Sequence, residues 1–186
     1  TREGYTFSGW SEIPETMPAK DVAVSGKFTI NGYTVTYVVE GEVFHTDTIT
    51  FGSQITSIKN PVKEGHTFAG WGDVPEFMPA KDLTITGTFI INSYRITYTV
   101  DGVEHRTDSI EYGDTIAVIA EPTREGYTFS GWSEIPEFMP SENVTISGAF
   151  IANRYLITYM IDGEVYRADS VVFNSVTPQI EEPTKE

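Results

Sequence analysis

The chain repeats itself, and that fact constrains its fold more than any other. The stretch Glu-Gly-x-Thr-Phe-x-Gly-Trp opens at Glu3, returns at Glu64 and again at Glu125, so that Trp10, Trp71 and Trp132 stand 61 residues apart. A fixed period of this size marks an array in which each unit is one supersecondary motif. The length of 186 residues would suit one ordinary domain, but the period divides it into about three small modules. A module of about 60 residues buries only about 60% of its unfolded surface. Its core therefore needs large side chains, and an aromatic content of 13% supplies them. With no cysteine, disulfide staples and thiolate metal or redox chemistry are excluded.

The formal net charge is −15, from 27 acidic against 12 basic residues. That balance argues against nucleic acid and anionic membrane surfaces as partners, and its plain role is solubility and repulsion between neighbouring modules. No apolar run approaches the roughly 20 residues that span a bilayer, so membrane insertion is not expected. No signal peptide is evident. Because the chain opens inside a repeat, it is expected to be a fragment of something longer, and missing targeting signals carry little meaning.

The local pattern is that of strands. Tyr5, Phe7 and Gly9 alternate with Thr6 and Ser8 after a turn at Gly4, and Val22, Val24, Gly26 and Phe28 alternate in a second run. Pro14 and Pro18 flank Met17 in an irregular connection with room for one helical turn near Pro18–Asp21 at most. Tyr33, Val35, Tyr37 and Val39 form a strand rich in aromatic and β-branched residues. Glu40-Gly41, Asp101-Gly102 and Asp162-Gly163 are strong hairpin signals, and the return strand after the first runs from about Val43 to Phe51. Asn31-Gly32 resembles a hairpin turn, yet its counterparts Asn92-Ser93 and Asn153-Arg154 do not. It is read as a module junction.

This divides the chain into the C-terminal half of a repeat at 1–32, complete repeats at 33–93 and 94–154, and the N-terminal half of another at 155–186. A lone hairpin is marginal in water, so the terminal halves need partners. They have three options: completion by another copy of the chain, head-to-tail in a non-closing series; closure within one chain; or a folding frame that starts near Thr1. Units roughly 25–30 Å across would hold the ends of a straight array far apart. That favours intermolecular completion or looser packing of each half on its neighbour.

No constellation carries catalysis. The expected repeat core is aromatic and apolar: Phe7, Trp10, Met17 and Phe28, then Phe68, Trp71, Met78 and Phe89, then Phe129, Trp132, Met139 and Phe150. Tryptophan buries about 150–250 Å² and suits a small core better than a surface platform. Asp47, Asp108 and Asp169 recur, as do Glu15, Glu76 and Glu137, but without the closely spaced acids of a calcium loop. His45, His66 and His105 occupy positions that do not all recur, so no metal or general-base role is assigned. Lys20 and Lys81 become Glu142, which argues against a recurring Lys–Asn crosslink. The formal sequon Asn143-Val144-Thr145 is given no role. No cofactor is expected.

The order Tyr94-x-Ile96-Thr97-Tyr98, Asp101-Gly102, Tyr112-Gly113, Pro122-x-Arg124-Glu125-Gly126-x-Thr128-Phe129-x-Gly131-Trp132 resembles the Listeria–Bacteroides repeat, related to the internalin B-repeat. Met139-Pro140 and Gly148-Ala149-Phe150 match the end of longer members, and the resemblance covers nearly the whole chain. It implies β-grasp-like modules in bacterial cell-surface proteins, used in tandem as an adhesin's stalk or spacer. Only six residues separate Trp10 from Met17, which argues against the short helix that longer internalin-type repeats carry there. The expected fold is therefore mainly β: tandem small β-grasp-like modules of about four strands, with little or no helix, in an elongated array. Neighbouring modules should touch mainly at the Asn-x-Tyr junctions. The expected function is a non-catalytic extracellular spacer on the bacterial cell surface. The alternative is a module that binds carbohydrate or a host protein through exposed aromatics.

Overall fold

The structure, a computed structural model, describes residues 1–183. Among these the chain is all β, with thirteen strands and no helix; the turn considered near Pro18–Asp21 is a pair of bends. It is a tandem of small β modules that falls into two compact units, Thr1–Ile91 and Asn92–Glu186.

In the first unit, β1 (Tyr5–Trp10) and β2 (Gly26–Ile30) form an antiparallel pair, with Phe7 opposite Phe28. The rest is a four-stranded mixed sheet of β3 (Gly32–Val39), β4 (Glu42–Thr50), β5 (His66–Trp71) and β6 (Leu83–Ile91), in the order β4-β3-β6-β5. Its centre is parallel: Val35 lies opposite Leu83 and Val39 opposite Gly87. The hairpin β3–β4 turns at Glu40 and Gly41, whose φ of 52° and 88° are the left-handed pair that a two-residue turn matched to strand twist requires. The same geometry recurs at Asp101-Gly102 and Asp162-Gly163.

Alternation on β3 sends Val35 and Tyr37 to one face, where they meet Ile55, Met78 and Ile85 in the buried cluster. Two irregular segments close that face by backbone pairing. Gly52 N–H donates to the Met78 carbonyl, Met78 N–H to Ser53, and Ile55 N–H to Glu76. This clip is why the proline-flanked Met-Pro motif does not need to be a helix: its backbone groups are satisfied across the module.

The second unit repeats the plan. β7 (Ser93–Val100) pairs antiparallel with β8 (Val103–Glu111) and parallel with β10 (Val144–Gly148), while β9 (Tyr127–Phe129) pairs with β11 (Phe150–Ala152). Ile96, Tyr98, Ile116, Met139 and Ile146 form its core. The hairpin of β12 (Arg154–Ile161) and β13 (Glu164–Val172) completes the unit. The end of the half-repeat assigned to 155–186 lies outside the described residues.

Two local readings are refined. At Asn31-Gly32, read as a junction, the chain does not turn back on itself, since β2 pairs with β1 while β3 pairs with β4 and β6. Asn31 instead breaks a continuous run of strand: its N–H donates to the Gly4 carbonyl and its own carbonyl accepts from Phe51 N–H. Asn153 does the same between Gly126 and Phe173. Second, the run expected from Val22 becomes strand only at Gly26. The equivalent Leu83–Gly87 is strand because it pairs with β3, and residues 1–21 hold no counterpart of β3.

Candidate functional site

The candidate is the aromatic wall that each tryptophan anchors. In the first complete repeat, β5 brings Phe68 and Trp71 to one edge of the sheet and β6 brings Phe89. Trp71 meets Phe68 and Tyr37 edge-on, each at 5.0 Å between ring centres, and Phe44 of β4 at 5.8 Å. Phe68 meets Phe89 at 5.5 Å. Gly87 lies beneath Phe68 and Trp71 and lets both rings settle on the backbone. The second repeat rebuilds the wall: Trp132 meets Phe129 at 4.9 Å, Tyr98 at 5.3 Å and His105 at 6.1 Å, and Phe129 meets Phe150 at 5.5 Å. Trp71 and Trp132 pack against their core clusters, and their indole nitrogens are buried without a hydrogen-bond partner. Edge-on pairs of this kind add about 0.5–1.5 kcal/mol each beyond area burial.

The expected core residues thus fall into two groups. Met78 and Met139 are fully buried, and Phe68, Trp71, Phe89, Phe129, Trp132 and Phe150 are half-buried around them. Phe7, Trp10, Met17 and Phe28, assigned to the same core, are instead exposed, Trp10 at 64% and Met17 at 74%. Phe7 still meets Trp10 at 5.1 Å and Phe28 at 5.2 Å. What the first half-repeat lacks is the cover that Tyr37 and Phe44 give Trp71, because it holds no strands equivalent to β3 and β4.

The polar candidates are engaged locally. Asp108 and Asp169 accept from the arginines two residues before them, and the Asp47 carboxylate accepts from Thr48 N–H. The carbonyls of Glu76 and Glu137 serve the loop clip. His45 lies against Tyr37, His66 Nδ1 donates to Glu64's carbonyl, and His105 covers Trp132. No group of three or more histidines and acids among the described residues is placed to hold a metal ion. Burial pushes the Tyr37 and Tyr98 hydroxyls above the usual tyrosine range, with the Asp47 carboxylate adding to the shift of Tyr37; for Tyr98, Arg106 opposes it and Asp108 adds.

Two recurring contacts escaped the reading of the sequence. Asp82 and Asn143 accept the backbone N–H of Thr34 and Arg95, fixing where the parallel pair begins. Asp101 joins its turn to the far strand: one oxygen takes Phe150 N–H at 3.0 Å and the other Arg124, which also lies over the Tyr127 ring. The signal was the period itself, since Asp21, Asp82 and Asn143 are 61 residues apart. At the junctions, the Phe51 ring lies on Gly4 and the Phe173 ring on Gly126, where a Cβ would overlap them.

The family model described as the Listeria-Bacteroides repeat domain matches residues 33–89 and 94–149. Internalin H of Listeria monocytogenes is 32% identical over 171 residues, which cover 80% of this chain and 30% of that protein. A protein of Evansella cellulosilytica named as a membrane protein is 28% identical over 159 residues, covering 71% of this chain and 24% of its own length. The chain thus spans less than a third of the curated relatives it matches. Among solved structures, the type 2 repeat of the mucus binding protein MUB from Lactobacillus reuteri is 11% identical, with a TM-score of 0.23 over 67% of this chain and all of that one. Mub-RV is 14% identical with a TM-score of 0.20 and the same coverage.

Proposed function

The chain belongs to the Listeria–Bacteroides repeat family, and on that premise we propose that it is a non-catalytic extracellular spacer, the stalk of a bacterial surface adhesin that holds another domain away from the cell. One observation carries the reading. In both complete repeats the tryptophan wall is turned to the repeat's own core, with its ring edges and faces occupied by Tyr37, Phe44 and Phe68 or by Tyr98, His105 and Phe129. A repeat built this way adds length and stiffness. At Asn31 and Asn153 a single residue separates successive strands and is hydrogen-bonded on both sides, which supports a stiff junction.

The rival reading is a module that binds glycan or host protein through aromatics, and the exposure of Trp10, Phe7 and Phe28 favours it. Replacing Trp71 by Ala separates the two. For a spacer, the first unit loses its cooperative melt, because a core ring is removed. A Trp71→Ala chain that melts like the parent but no longer adheres to mucin or to host cells would overturn the proposal.

A further inference from the structure

We propose that the outer edge of β8, at Thr107–Ser109, is a docking site at which an extended segment of a partner protein joins the β10-β7-β8 sheet as a fourth strand. The direction of the backbone groups follows from the ladder. Arg95 N–H donates to Asn143, away from β8, and Arg95 lies opposite Ser109. That makes them a pair without mutual hydrogen bonds, so the Ser109 N–H and carbonyl point to the outer edge, and two residues earlier those of Thr107 do the same. The same position recurs on β4 and β13, and there the chain covers it itself. On β4 the Asp47 carboxylate takes the Thr48 N–H at 2.8 Å. On β13 the Arg154 guanidinium takes the Ser170 carbonyl at 2.7 Å and its hydroxyl at 3.1 Å. On β8 the residue in the place of Arg154 is Ser93, too short to reach. Among the described residues, the outward backbone groups of Thr107 and Ser109 meet neither a strand nor such a cap.

A strand added to an edge draws its affinity from the backbone and its specificity from pockets for alternate side chains. β8 has a groove on each side. One, of about 650 Å³, lies on the outer face and is lined by Arg95, Asn143 and the hydroxyls of Thr107 and Ser109. The other, of about 600 Å³, lies on the core face, where Ile110, Val118 and Ile119 surround the Arg106–Asp108 pair. Arg95 is exposed and forms no ion pair among the described residues. The two grooves therefore suit a segment that alternates aliphatic side chains with polar ones, with a carboxylate toward Arg95. A second copy of β8 fits poorly. It would set Glu104, Asp108 and Glu111, relieved only by Arg106, against the same residues, and like charges across a ladder repel.

The probe is a synthetic peptide of nine residues, the length of β8, alternating threonine and valine with aspartate in place of the central threonine. Titrated to about 1 mM against the isotope-labelled chain, it should shift the amide signals of Thr107 and Ser109 and slow their hydrogen exchange. Those of Thr48 and Ser170 should not move. Ser109→Pro removes an outward donor without touching the β7–β8 bonds and should weaken binding by about tenfold. Should proline disturb β8, Ser93→Arg leaves that backbone intact and supplies the cap that β13 carries, and it should weaken binding by at least about threefold. Lysine for the peptide's central aspartate should cost about threefold through Arg95. Absence of binding at 1 mM would overturn the proposal, as would binding that both variants leave unchanged or that protects Thr48 and Ser170 equally. So would protection of Thr107 and Ser109 that rises with protein concentration alone, since the occupant would then be a second copy of the chain.

Discussion

Met17, Met78 and Met139 sit in nearly the same local sequence, before proline, yet Met78 and Met139 are 1% exposed and Met17 74%. Replacing each by alanine should therefore give unequal losses. Met78 packs with Val35, Tyr37, Ile55 and Ile85. Burying a methionine fully contributes about 1.5–3 kcal/mol, and the cavity left by truncation raises the cost to about 2–5 kcal/mol. A value near 3 kcal/mol fits a site whose backbone is clipped to Gly52 and Ser53 and cannot collapse freely. With a urea slope of about 1.5 kcal/mol per molar, the transition of the first unit should move by about 2 M. The Met17 side chain is already in water, so Met17→Ala should cost less than about 0.5 kcal/mol and leave the midpoint almost unmoved. Circular dichroism against urea reads both. Equal shifts for Met17→Ala and Met78→Ala would refute the claim that burial comes from the paired half-repeats.

Gly87→Ala should destabilise the first unit by about 1–3 kcal/mol, because the new methyl group forces rings off well-packed positions. An ideal Cβ there comes within 2.6 Å of Phe68 Cζ and 2.9 Å of Trp71 Cε3. An unchanged melting temperature would show that the wall does not rest on that backbone. Stability should also fall at alkaline pH. Burial raises the Tyr37 and Tyr98 hydroxyls above their unfolded value of about 10. Their contribution is therefore complete below that pH and is lost as pH rises through the folded values. Melting temperature measured against pH should decline less steeply in Tyr37→Phe than in the parent, and identical slopes would count against a buried hydroxyl.

The strands were legible because each is a local pattern: Tyr33, Val35 and Tyr37 alternate, and an acidic residue before glycine can adopt the left-handed pair that closes a hairpin. The period made the module legible too. What local pattern could not assign was burial. Phe7 and Trp10 repeat the Phe-x-x-Trp spacing of Phe68 and Trp71 and meet at almost the same distance, 5.1 against 5.0 Å. One pair is exposed and the other half-buried. The difference is supplied by Tyr37 and Phe44, more than twenty residues before Trp71, on strands that only tertiary pairing brings alongside. The same reasoning explains why Val22–Ser25 are irregular while Leu83–Gly87 are strand: a backbone run takes that form where another strand accepts its hydrogen bonds. Core and edge in this chain are therefore properties of two complementary halves meeting. A half-repeat presents as surface, and as an unfilled strand edge, what a whole repeat encloses.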